Sequence, residues 1–253
     1  MATALARPAH RLSLGKVLQK GVLPLALVAG AALIAIGSVV YFSEEAPPFL
    51  LEKLPLPNED LWLLAVRVHV VTAIFSLVAC LVLRSAMVVR RAPILHRWLG
   101  RVTGIALLLG AVPSGFYLAL FAKGGLPSTI GFLLSGVITA LAMVEAIRRA
   151  RRGEVAAHRR AANHVLAQLS VAVTSRTLLL CFDTFGYDPT TSYLISLWVP
   201  VIGSALLVEI GACRRVCAYL FRTLSQLLWR SHAPHRGNAV AVDKLAGSGV
   251  TAR

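Results

Sequence analysis

Acidic residues are scarce in this chain: 11 Asp and Glu stand against 26 Lys and Arg, and charged residues of both signs make up only 15% of its 253 positions. A soluble domain carries about 25%, so an ordinary water-facing globule is excluded, and so is a charge-rich disordered chain. Cysteine is thin as well. Four residues, Cys80, Cys181, Cys213 and Cys217, are too few for a disulfide scaffold and lack the spacing of a zinc site, so they read as buried structural thiols. Also missing are a glycine-rich phosphate loop, a nucleophile elbow and a paired His-Glu zinc helix. The usual signatures of soluble enzymes are therefore absent.

What the chain has in abundance is apolar sequence, 57% of it, gathered in unbroken blocks. Crossing a bilayer core takes roughly 20 apolar residues. Six blocks reach that length: about Gly21 to Phe42, Leu61 to Leu83, Val102 to Ala122, Thr129 to Ile147, Ala162 to Phe182 and Tyr193 to Cys213. The first is too long for a signal-peptide core and no small-residue cleavage site follows it, so it reads as an uncleaved anchor. The expected fold is all-α, an integral membrane bundle of six transmembrane helices. Residues 1–20 form a basic tail, 21–215 the transmembrane domain, and 216–253 a basic amphipathic segment followed by a disordered tail.

The net charge of +15 would suggest nucleic acid in a soluble protein. Its placement points elsewhere. The N-terminal tail, the connections Arg84–Arg101 and Arg148–Arg160, and the C-terminal tail together hold 22 of the 26 basic residues. Those four segments alternate with outer loops that carry Glu44, Glu45, Glu52, Glu59, Asp60, Asp183 and Asp188. Such asymmetry sets topology, with both termini in the cytoplasm and the chain in the inner membrane. The implied partner is the lipid bilayer, together with a membrane partner subunit or a second copy, and no nucleic acid.

Ionisable groups inside a bilayer cost several kcal/mol or so unless paired or hydrated, which makes them the best functional pointers. Arg67 and His69 lie in the second block and Arg176 in the fifth, all at one depth in the outer half. Two residues apart on a helix, Arg67 and His69 cannot face one neighbour, so Arg67 is expected to reach outward to Glu59 or Asp60. His69 then faces Ser114 and Tyr117, either as a packing histidine or as a ligand. Arg176 either ties carbonyls at the Pro113 kink or Asp183, or else binds an anion or a cofactor propionate. On the inner side, His96, His158 and His164 open helices, and Glu209 is expected to pair with an arginine. The inner histidines either hydrogen-bond helix ends or supply imidazoles to a haem b. Arg97, Arg101, Arg159 and Arg160 are the candidates for anionic lipid. Small residues at four-residue spacing (Gly100 and Gly104, Gly110 and Ser114, Gly131 and Ser135, Gly136 and Ala140) let neighbouring backbones approach.

The run His96-Arg97-Trp98-Leu99-Gly100-Arg101, the later His158-Arg159-Arg160, and Arg176 eighteen residues after His158 resemble a bacterial membrane family, domain of unknown function 2306. With His69, the similarity runs over about 69–176, four helices, and the first and last blocks become flanking helices. The family pattern after the second His-Arg-Arg is an aromatic, a methionine and an arginine; here Ala161, Ala162 and His164 stand there, and His164 takes the inner role. The resemblance implies no established activity. Its helix-borne histidines are loosely similar to those of four-helix b-type cytochromes, where two His clamp each haem. His69 alone cannot build an outer haem; His96 with His158 or His164 can build an inner one. The leading expectation is a haem- or quinone-linked redox component. The alternative is a structural or accessory protein that binds anionic lipid or a partner subunit. Transport ranks last, because no paired repeat of broken helices is visible.

Overall fold

The computed structural model describes residues 21–43 and 56–232, with side chains beyond Gly211 described only at Cys213. The basic N-terminal tail, most of the proline-rich loop before α2 and the last 21 residues lie outside the described residues. Among those described, helices and short turns account for everything, and there are no strands. In chain order they are α1 (Leu23–Gly37) with a 3-10 turn (Val39–Phe42), α2 (Glu59–Arg84), a short α3 (Ala86–Arg91) and α4 (Pro93–Ile105). A π-helical turn (Ala106–Ala111) joins α4 to α5 (Val112–Ala119), and α6 (Leu126–Arg151), α7 (Val155–Thr184) and α8 (Pro189–His232) complete the chain.

Five stretches are long and apolar enough to cross a membrane: Glu59–Arg84, Pro93–Ala119, Leu126–Arg151, Val155–Thr184 and Pro189–Gly211. At most 33% of any one window is buried inside the molecule, so much of each span presents apolar side chains outward, as a helix embedded in a membrane does. The first of the six expected blocks is shorter as a helix. α1 has 15 residues, about 22 Å at 1.5 Å per residue. Ser38 ends it by donating its hydroxyl to the Ile34 carbonyl at 2.7 Å, and the chain tightens into the 3-10 turn.

Local chemistry sets most helix ends. Proline stands in the first turn of α1, α4 and α6, where a missing N–H costs least, whereas Pro113 of α5 lies inside the continuous span Pro93–Ala119 and leaves a backbone carbonyl of the preceding turn without its N–H. Asn58 caps α2 by accepting from the Leu61 N–H at 2.9 Å. Asp188 does the same for α8, accepting from Thr191 N–H at 2.8 Å. Gly153 and Gly186, at φ 72° and 70°, lie just past the ends of α6 and α7, where the left-handed backbone favours glycine.

Small residues then let the helices meet. A Cβ on Gly104 would lie 3.2 Å from Ile147 of α6, one on Gly110 2.6 Å from Thr72 of α2, and one on Gly131 2.8 Å from Leu197 of α8. Gly30 is pressed against Val173 of α7, and Gly136 against Phe116 of α5. Gly100 meets nothing within 4 Å and takes no part in this packing. Leu107, Ala111, Met143 and Val165 form one buried cluster, and Ala31, Leu77 and Leu166 form another. The compact unit ends at Glu209; from Ile210 the chain forms a second unit, helical to His232.

Candidate functional site

Two polar groups sit within the apolar spans, one toward each end of α7. The one on the side expected from sequence to be the outer, and called outer accordingly, begins on α2. Arg67 and His69 diverge as their spacing requires. Arg67 donates from Nε to the Tyr41 carbonyl at 2.6 Å, and its guanidinium carbon lies 5.9 Å from the centroid of the Phe42 ring. The expected reach to Glu59 or Asp60 is thus replaced by a reach to the turn after α1, whose end leaves carbonyls without helical partners. That turn is held in place by Tyr41, edge-on to the buried Trp62 at 6.3 Å.

His69 turns the other way, into the π turn. Its Nδ1 bonds the Ala111 carbonyl at 2.9 Å, and Ser114 Oγ stands 3.4 Å from the same nitrogen while donating to the Gly110 carbonyl at 2.6 Å. Because a carbonyl only accepts, the proton of the neutral ring is on Nδ1, and Nε2 keeps a lone pair. The carbonyls loosened near Pro113 are therefore tied by His69 and Ser114, not by Arg176. This Ser114 contact is the one expected from sequence.

Arg176 projects from α7 into the same neighbourhood. Its Nη1 donates to the Ala172 carbonyl one turn back at 2.8 Å, and the guanidinium lies within electrostatic reach of Tyr41, Tyr193 and His69. Tyr193, near the start of α8, is held over the tight turn at Gly124. The ion pairs among the described residues join Arg148, Arg149, Arg160 and His164 to Glu145, Glu154 and Glu209. Neither Arg67 nor Arg176 takes part, and the expected Arg176–Asp183 pair is not formed. The outer group thus combines two cations that no described carboxylate balances, two phenols and an imidazole, contributed by the α1 turn, α2, α7 and α8. Tyr41 and Tyr193 are the members that sequence reasoning missed, having placed them only as interfacial aromatics.

The inner group is a ladder on one face of α7. Arg160 pairs with Glu209, and His164, one turn on, bonds the same carboxylate through Nε2 at 2.7 Å. One further turn along, the buried Gln168 donates to the Val201 carbonyl at 3.0 Å and Ser204 at 3.2 Å, and accepts from Ser135 Oγ at 2.9 Å. Every polar atom of that side chain is used, so it binds α6, α7 and α8 together. The ion pair expected at Glu209 is present.

The remaining sequence candidates separate. His158 bonds the Ala146 carbonyl through Nδ1 at 2.9 Å. His96 approaches the Leu83 carbonyl, lies within electrostatic reach of His158, and has a buried Nδ1 without a hydrogen-bond partner. His164 is engaged by Glu209 and stands apart from this pair. Arg97, Arg101 and Arg159 are exposed, Arg101 stacking over Trp98 at 5.2 Å, whereas Arg160 is committed to Glu209. Among the described residues no group of three or more His, Cys, Asp or Glu is arranged to hold a metal ion.

A family model described as Predicted membrane protein (DUF2306) matches residues 66–211, which takes in both polar groups except Tyr41. Comparison with curated proteins and with solved structures returns no match.

Proposed function

Since the chain belongs to the family of predicted membrane proteins DUF2306, we propose that it works inside the bilayer by holding the polar head of a small membrane-soluble molecule at the outer His69–Arg176 site. The observation that carries this reading is Arg176 itself. It is a guanidinium within a span, in electrostatic reach of two phenols and an imidazole and, among the described residues, without a carboxylate partner. A structural arginine in hydrocarbon is normally paired within the protein. One left open toward phenol and imidazole groups is arranged for a visitor.

In this reading the chain has six spans, α1 being the sixth, and lies in the inner membrane with both termini in the cytoplasm. The clustering of basic residues supports that orientation. The exposed Arg97, Arg101 and Arg159, with Trp98 beside Arg101, then meet the anionic lipid of the inner leaflet. A haem b held by His96 and His158 is the second reading. One observation favours it: His158 anchors Nδ1 on a backbone carbonyl, which leaves Nε2 free as in metal-bound histidines. A haem there would supply one-electron chemistry.

Native mass spectrometry of the protein extracted from its own membranes tests the first reading. Wild type is expected to carry a small molecule that His69→Ala and Arg176→Gln lose. A wild-type protein that carries none would sink it. An absorption spectrum tests the second, which requires a Soret band that disappears in His158→Ala.

A further inference from the structure

The outer site has a charge that its described residues leave unbalanced, and that charge points to the class of its visitor. Arg67 lies eight residues from the outer end of α2 at Glu59, and Arg176 eight residues from the outer end of α7 at Thr184. At about 1.5 Å per residue, both start about 12 Å below the helix ends. Arg67 is fixed to the Tyr41 carbonyl and Arg176 is in electrostatic reach of the Tyr41 ring hydroxyl. Two guanidiniums therefore stand at one depth in the outer half of the membrane with Tyr41 in common, and among the described residues neither has an ion pair.

We propose that this site binds the phosphate of a phosphate-bearing amphiphile. The inference rests on the outer-site reading and names its ligand class. A quinone ring is neutral and offers only two carbonyl acceptors, so it leaves both cations uncompensated. A phosphate monoester or pyrophosphate brings negative charge and several acceptor oxygens, and guanidinium groups bind such oxygens in pairs through parallel N–H bonds. Tyr41 and Tyr193 add hydroxyl donors at the rim.

Each guanidinium also has capacity left. Arg67 is fixed through Nε and Arg176 through Nη1, so each has further N–H groups that no described residue takes up. Arg176 is exposed along the side of the bundle, so the site opens sideways toward lipid. A head group attached to a hydrocarbon chain can slide in at that depth without leaving the bilayer.

Two sources share this chemistry, a lipid-borne phosphate and soluble phosphate entering from the outer face. Purified full-length protein in neutral detergent separates them by native mass spectrometry and thermal shift. The probes are a polyprenyl monophosphate, inorganic phosphate, and ubiquinone as the neutral comparison. The polyprenyl monophosphate is expected to bind and to raise the melting temperature, with affinity falling at least tenfold in Arg176→Gln and unchanged in Gly100→Ala. Inorganic phosphate that binds as tightly and is equally sensitive to Arg176→Gln identifies the soluble source and upholds the phosphate assignment. If Arg176→Gln does not fold, Arg176→Lys, which keeps the charge but loses the paired N–H bonds, is expected to show the weakened binding. Ubiquinone bound in place of either phosphate overturns the ligand class and leaves the outer site standing as a binding site. Binding of none of the three, in a protein that also extracts empty from its membranes, overturns both.

Discussion

His69 shows how closely a functional candidate can be woven into packing. Its ring lies close against Gly115: a Cβ there would stand 3.0 Å from Cε1 and 3.2 Å from Nδ1. Gly115→Ala is therefore expected to push the imidazole off the Ala111 carbonyl and to destabilise the protein by about 1–3 kcal/mol, as overpacking does. Gly100→Ala, in open space, is expected to be neutral or to gain up to about 1 kcal/mol from helix propensity. Thermal unfolding of the two variants in detergent reads the difference. At this scale the sequence was informative about which residues are out of place and silent about their companions. A charge inside an apolar block flags itself, and so Arg67, His69 and Arg176 stood out. Tyr41 and Tyr193 did not, because a tyrosine near a membrane interface has an ordinary reason to be there, and only the tertiary arrangement brings both to Arg176.

Helix ends carry much of the local logic, and one of them titrates. The Asp188 carboxyl is held below the ordinary carboxylate range, chiefly by the Thr191 backbone N–H and then by the Thr191 hydroxyl. A group whose folded value is depressed adds stability above its unfolded value of about 3.9, and that stability is lost as pH falls through the folded value. Wild type is therefore expected to be more stable than Asp188→Ala at pH 5, with the gap closing toward pH 3 in paired thermal scans. The elements themselves were mostly legible. The second block, read as about Leu61 to Leu83, is the helix Glu59–Arg84. The third was read from Val102 but its helix starts at Pro93. The turns between carry His96, Arg97 and Arg101, whose charge hides a helix from any search for apolar runs. Proline at a helix start was the available signal.

For the whole molecule, the proposed topology places four basic segments on one side. Reporter fusions at both termini are expected to be cytoplasmic, and one inserted at Gly124–Gly125, in the turn between α5 and α6, to be external. A terminal reporter found outside would reverse the orientation, and with it the assignment of the two polar groups to outer and inner halves. The apolar character of the chain was evident from composition, whereas the way its spans interlock was not, because it depends on which glycine meets which side chain. One such dependence runs through the π turn at Ala106–Ala111. A π turn amounts to one residue inserted into an α-helix, and each added residue rotates the remainder of the helix by about 100°. Deleting a single alanine or leucine there would leave hydrophobicity almost untouched, yet it would swing Ser114 and Gly115 round the axis and away from His69. Spelling, letter by letter, matters in this stretch more than vocabulary.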